Sequence, residues 1–209
     1  MLLCSAELNG SAAEARGAWE VAVRRIRYQV ATSLDGYIAG PKGEADWIVM
    51  DPDFDFRALY AQFDTALVGR RTFEVLTGGK KKGGALPGMK TFVFSRRLRQ
   101  RDYPKVTVVA EKSEETVAAL RAEPGKDFWL FGGGVLFRSL LDAGLVDAVE
   151  VAVMPVLLGG GVPLFPPPAK PAKLSLTGQK VYPKTGIVLL EYATGLTAAE
   201  PSERRRSRC

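Results

Sequence analysis

The sequence predicts an α/β fold around a mixed, mostly parallel sheet, and three observations predict it. Short apolar or β-branched runs alternate with helical patterns across residues 26–143, the order that builds parallel βα units. Two alternating segments, 173–181 and 186–192, are joined through Pro183-Lys184-Thr185-Gly186 and read as an antiparallel hairpin that finishes the sheet. Three runs stop at glycine, serine or arginine just where the next segment begins, as strand-to-helix junctions do in open α/β sheets.

Taken in order, residues 1–24 mix Ala, Glu, Gly and Arg and read as a poorly ordered leader. Residues 26–32 are β-branched and aromatic, a first strand. A long excursion follows through the Asp35-Gly36 turn and the Gly40-Pro41-Lys42-Gly43 loop to Trp47, where lids and substrate loops tend to lie. Asp51-Pro52-Asp53 is expected to open a helix with Phe54, Leu59 and Phe63 on one face. Residues 65–68 form a short buried strand ending at Gly69-Arg70-Arg71-Thr72-Phe73-Glu74, a second helix start. After a Gly/Lys loop over 78–88 come a strand into Ser95-Arg96-Arg97 and another over 106–110, then a helix with Ser113 as N-cap. Residues 127–131 are a strand that runs into Gly132-Gly133-Gly134, and the helix over 135–143 stops at Gly144. Residues 146–154 are a strand ending at Pro155, and Pro166-Pro167-Pro168 is a stiff connector. The foldable domain spans 25–194, and 195–209 is a disordered basic tail.

Composition narrows the chemistry. With 209 residues and 46% apolar content, one domain with a sizeable core is expected. There is no histidine, which removes Ser-His-Asp and Cys-His catalysis, His-ligated zinc and the zinc deaminase signature. Proton transfer must use a carboxylate, Tyr, Lys, Cys or water, and difficult redox chemistry must come from a bound cofactor. Cys4 and Cys209 make neither a disulfide framework nor a metal cluster and fit a reducing cytoplasm; no metal site is expected. No run of about eighteen apolar residues predicts a membrane span, and no basic-then-apolar start marks a secretory signal. The net charge of +6 sits partly in the tail and in Lys80-Lys81-Lys82. Without a recognition motif it points to solubility and attraction for a small anion rather than to nucleic acid.

Phe131-Gly132-Gly133-Gly134 alone is equally compatible with close helix–strand packing and with an anion at a helix N-terminus. It is not Gly-x-Gly-x-x-Gly. Two further junctions shift the balance. Gly69-Arg70-Arg71-Thr72 offers guanidinium forks and a hydroxyl beside a helix start, although a solvated arginine pair competes for each residue singly. Ser95-Arg96 at a strand end suits a 2′-phosphate. Three such strand ends on one sheet edge predict a pyridine dinucleotide phosphate.

These residues, with Ser33-Leu34-Asp35-Gly36-Tyr37-Ile38-Ala39, Phe92-Val93-Phe94-Ser95-Arg96 and Met154-Pro155-Val156-Leu157-Leu158-Gly159-Gly160-Gly161, carry a resemblance across about residues 26–193. The chain resembles the dihydrofolate-reductase-like superfamily, within it the C-terminal reductase domain of the bacterial riboflavin-pathway deaminase-reductase, in stand-alone form. The resemblance implies a three-layer fold with a mixed sheet of about eight strands, and NADPH as hydride donor. It implies that Gly69, Arg70, Arg71 and Thr72 face the cofactor phosphates and Ser95 and Arg96 the 2′-phosphate. Gly132, Gly133, Gly134, Val135 and Leu136 would take the pyrophosphate and border the nicotinamide, which Ala31, Ile38 and Ala39 would flank. No deaminase part is expected, since about 25 leader residues cannot hold one.

The substrate half is less defined. Ser33, Asp35 and Trp47 are candidate substrate contacts, Asp35 being equally suited to a plain turn. Asp51 and Asp53 lie near the place where folate reductases carry an acidic residue, and helix capping would select the same residues. Either could serve as a proton donor if its pKa were raised. The expected activity is hydride transfer to a small heterocyclic or sugar-derived substrate, with folate-like or other pterin-like substrates as alternatives and a non-catalytic NADP(H)-binding protein as the rival of another class. Residues 156–159 and the late hairpin could form an isologous dimer contact, as in relatives, or pack within the subunit.

Overall fold

Eight strands form where the sequence runs apolar or alternates, in a computed structural model that describes residues 23–78 and 84–195. The leader up to residue 22, the Lys80-Lys81-Lys82 run, the tail beyond Gly195 and both cysteines lie outside the described residues. The strands are β1 (Ile26–Ser33), β3 (Phe63–Gly69), β4 (Lys90–Phe94), β5 (Thr107–Val109), β6 (Asp127–Phe131), β7 (Ala148–Met154), β9 (Leu174–Tyr182) and β10 (Ile187–Thr194), in the order β5-β4-β3-β6-β1-β7-β10-β9. The six strands from β5 to β7 in that order are parallel; β10 runs antiparallel to β7, and β9 to β10. A separate two-stranded pairing of β2 (Tyr37–Ala39) with β8 (Val162–Pro163) was not expected. Both of its strands are too short to show a period in sequence.

Four helices pack on the sheet: α1 (Phe56–Tyr60), α2 (Arg70–Thr77), α3 (Ser113–Arg121) and α4 (Gly134–Asp142), with a short 3-10 turn at Gln100–Asp102. Alternation along each strand sends its side chains to opposite faces. On one face Tyr28, Leu67, Leu130 and Val149 meet Val117 of α3 and Leu136, Phe137 and Leu140 of α4. On the other, Ala66, Val68, Val93 and Trp129 meet Phe73 of α2. Helices cover both faces, which is the three-layer arrangement. Each fully buried Leu, Val or Phe contributes about 1.5–3 kcal/mol by area. Tyr28 stacks on Phe137 with ring centroids 3.8 Å apart, and burial pushes its phenol well above the usual range. No helix among the described residues is long and apolar enough to cross a membrane.

Three expectations about helix starts are corrected. Asp51-Pro52-Asp53 opens no helix: the Asp51 carboxylate accepts from the Asp53 N–H at 2.9 Å and so closes its own turn. The N-cap of α1 is Asp55, which accepts from Ala58 N–H at 2.8 Å, and Phe63 begins β3 instead of lying on the helix. Ser113 is the first residue of α3 rather than its cap; Lys112 takes the cap position with a left-handed φ of 54°. Finally, α4 begins at Gly134, one residue before the expected start, and Gly144 follows its end with φ 70°.

Candidate functional site

The site is built where β3 passes into α2 and β6 into α4. The residues in the N-cap positions are Gly69 and Gly133, and neither helix has a side-chain cap. The first-turn N–H groups of both helices are therefore uncapped by their own sequence, with the positive ends of two helix dipoles side by side. The two junctions touch: a Cβ placed on Gly133 would lie 3.6 Å from the Gly69 Cα. Gly132 and Gly133 have φ of 67° and 84°, which only glycine adopts cheaply. A Cβ on Gly132 would come within 3.1 Å of the Thr72 hydroxyl. Backbone and hydroxyl thus form a shallow cradle without side chains in the way.

A cleft of about 1910 Å³ opens over this cradle. Every residue expected to face the cofactor lines it: Ala31, Ile38, Ala39, Gly69, Arg70, Arg71, Thr72, Ser95, Arg96 and Gly132 to Leu136. Their states differ. Arg70 is engaged by Glu74 at 2.6 Å, whereas Arg71 and Arg96 make no ion pair among the described residues. The Ser95 oxygen accepts from the N–H groups of Arg97 and Leu98, both at 3.1 Å, and so shapes the turn that presents Arg96. Two uncapped helix starts, a hydroxyl and two guanidiniums fit the phosphates of a dinucleotide.

The substrate-side candidates are scattered. Asp51 lines the cleft, but Ser33, Asp35, Trp47 and Asp53 do not. The Ser33 oxygen accepts from Tyr37 N–H at 2.9 Å within the turn. The Asp35 carboxylate accepts from Leu158 N–H at 3.1 Å and Gly159 N–H at 2.7 Å. The Ser33 hydroxyl beside it, then these two N–H groups, hold its carboxyl below the usual range. With Leu34 N–H on Val156 O (2.8 Å) and Leu164 N–H on Gly36 O (2.9 Å), Asp35 fastens the loop after β1 to the loop after β7. Trp47 donates to Glu44 O at 3.1 Å and packs beside Met154, Tyr182 and Ile187. Asp53 is exposed and pairs with Lys184 at 2.8 Å.

Asp51 is 4% exposed and accepts from the Thr185 hydroxyl at 2.6 Å. That hydrogen bond foremost, with the Asp53 N–H and the nearby Lys184 and Lys180, lowers its pKa. These contacts run opposite to the raised pKa expected of a proton donor and suit Asp51 to accepting a hydrogen bond.

The sheet supplies a floor that was not anticipated. On one face, register places Ala31, Ala152, Leu189 and Lys180 in one row across β1, β7, β10 and β9, and Gln29, Glu150, Glu191 and Gly178 in the next. Arg27 binds Glu150 through two bonds of 2.6 and 2.9 Å, and Gln29 also donates to Glu150. Signals existed: Arg27 and Gln29 alternate with Tyr28 and Val30, and Glu150 interrupts an apolar strand. Without the register nothing joins them.

Residues 24–188 match the family described as the RibD C-terminal domain. YyaP of Bacillus subtilis (strain 168) is 34% identical over 179 residues, 81% of this chain and 94% of YyaP. A candidate riboflavin biosynthesis protein from Shewanella sp. PV-4 has a similar solved structure, with TM-score 0.68 and 27% identity over 82% of this chain and 99% of that one. Dihydrofolate reductase from Enterococcus faecalis, solved in complex with NADP(H), shares the fold with TM-score 0.61 and 20% identity, covering 82% and 96% of the two chains. The fold is dihydrofolate-reductase-like, and the chain belongs to the RibD C-terminal domain family.

Proposed function

We propose that the protein is an NADPH-dependent reductase of the riboflavin-pathway type, acting on a small heterocyclic or sugar-derived compound. The observation that carries this reading is the meeting of Gly69-Arg70-Arg71-Thr72, Ser95-Arg96 and Gly132 to Leu136 on one cleft whose floor continues into a second, aromatic-walled half. NADPH, when bound, supplies a hydride for a C=N or C=O carbon. The chain's own part is positioning. Uncapped N–H groups at Gly69 and Gly133 and the Thr72 hydroxyl hold phosphate. Arg71 and Arg96 add charge-assisted donors, and Arg96 reads the 2′-phosphate. Ala31 and Ala152 are small enough to let flat rings lie on the sheet. Ile48, Phe54, Trp129 and Phe131 exclude water from the reacting faces. Asp51, held as an anion, orients a substrate N–H or O–H, and the proton comes from water. Asp35, as the fastener of two loops, keeps Ile38 and Ala39 at the cleft.

The test is NADPH consumption followed by absorbance with 5-amino-6-(ribosylamino)uracil and its 5-phosphate (whose ring-opened imine form is the reducible one), with dihydrofolate, and with none of them. Turnover with the pyrimidine in either form supports the riboflavin-type reading, and turnover with dihydrofolate alone moves the assignment to a folate reductase. NADPH binding without turnover on any compound supports a binding protein instead. The cytoplasm is the proposed location, and a dimer through the late hairpin the proposed assembly.

A further inference from the structure

The charges lining the cleft are not mixed but divided. On the dinucleotide half, Arg70, Arg71 and Arg96 stand against Glu74 alone. On the half floored by β1, β7, β10 and β9, Asp51, Asp55, Glu150 and Glu191 stand against Arg27 and Lys180. Arg27 is spent on Glu150 at 2.6 Å and Asp127 at 3.6 Å. Lys180 lies over the Tyr182 ring, 4.5 Å from its centroid, and leans electrostatically on Asp51. Lys42, on the exposed loop after β2, makes no ion pair among the described residues; its backbone N–H donates to Glu44 at 2.8 Å. A phosphate in this second half would meet the buried Asp51 and the half-buried Glu191 carboxylates, and its one guanidinium, Arg27, is already paired. Two carboxylates, Glu150 and Glu191, sit directly opposite on β7 and β10 of the floor, a pairing that like charges disfavour. Glu150 is answered by Arg27 and Gln29; the Glu191 side chain folds over Gly178, where a Cβ would lie 2.6 Å from its oxygen, and faces the cleft. Two buried polar atoms of the lining also lack partners among the described residues: the indole N–H of Trp129, a residue only 6% exposed, and the Gln29 side-chain oxygen. One offers a donor and the other an acceptor within an aromatic wall that includes Phe54 and Phe131.

We propose that this half takes a flat, unphosphorylated ring that is neutral or cationic, its polar edge directed at Gln29 and Glu191, and that it rejects phosphate esters. The inference rests on the reductase reading above and narrows it: the preferred substrate is the dephosphorylated or never-phosphorylated counterpart of a riboflavin-type pyrimidine. Charge repulsion by Asp51 and Glu191, not pocket size, makes the distinction.

The test uses benzamidine, benzamide and benzoate, three probes of one shape and different charge, titrated calorimetrically into the full chain saturated with NADP+. Benzamidine is expected to bind at least about tenfold tighter than benzoate, with benzamide between them, and Glu191→Gln is expected to shrink that ratio by about threefold or more. Ribose 5-phosphate should show no saturable binding up to about 10 mM. Benzoate binding as tightly as benzamidine, no benzamidine binding at all, an unchanged ratio in Glu191→Gln, or saturable ribose 5-phosphate binding overturns the proposal. Absence of NADP+ binding would remove the cofactor reading by itself. The benzamidine–benzoate ratio, read calorimetrically on the unloaded chain, then still decides this one.

Discussion

Replacing Gly133 by Ala separates the two jobs that the junction performs. Gly133 has φ 84°, and a Cβ there would meet the Gly69 Cα at 3.6 Å and the Thr72 hydroxyl at 3.7 Å, ordinary contact distances. The substitution therefore adds backbone strain without a clash. Placing an L-residue at such an angle costs about 1–2 kcal/mol. At about 2–4 °C per kcal/mol for a domain of this size, the melting temperature should fall by about 2–8 °C. The same Cβ would occupy the space through which a phosphate approaches the α4 N-terminus. Losing one charge-assisted hydrogen bond there costs about 1.5–3 kcal/mol, a weakening of NADPH binding by about 10- to 150-fold. Thermal melts and NADPH titrations on the purified variant measure both. A variant with the melting temperature lowered but NADPH affinity unchanged would refute the cradle, and one unchanged in both would refute the backbone geometry as well.

Other outcomes follow from the same structure. Asp35→Asn keeps the side chain's size but weakens its hold on Leu158 and Gly159; losing one of these bonds and the charge assistance of the other should raise KM by several-fold with a small change in kcat, measured by steady-state kinetics once a substrate is in hand. Leu140→Ala, at a fully buried α4 position, should destabilise by about 2–5 kcal/mol in urea unfolding. Burial would raise the pKa of Asp64, but the Lys126 N–H, the Thr65 hydroxyl and Arg24 outweigh it and hold the carboxyl below its usual value of 3.8. Its stabilisation is therefore present above about pH 4 and lost as pH falls through the lower folded value. Unfolding midpoints of the wild type and Asp64→Asn should accordingly differ at pH 7 and converge toward pH 2.

The parallel part of the sheet was legible because its strands are short apolar runs, four of them (β1, β3, β4 and β6) punctuated by glycine or serine. β3 is buried at Phe63 and from Thr65 to Val68, as a central strand covered on both faces must be. The hairpin was legible from alternation and its Pro183–Gly186 turn. That the residues expected to face a cofactor meet on one cleft could be read because they are consecutive at strand ends. Asp51 and Ser113 misled for one reason: Asp and Ser favour both caps and turns, and only the chain's path decides which. Gln29, Glu150 and Glu191 escaped because they are brought together by register across β1, β7 and β10, separations of 121 and 41 residues that no local pattern encodes.

The central claim is that one cleft holds NADPH through its phosphates. A fluorescence titration of the full chain with NADPH and NADH, repeated on Arg96→Ala, tests it most directly. The account predicts saturable micromolar NADPH binding, weaker NADH binding, and a loss in Arg96→Ala of about tenfold or more for NADPH with little change for NADH. No saturable binding of NADPH, or equal losses for the two nucleotides, would contradict it.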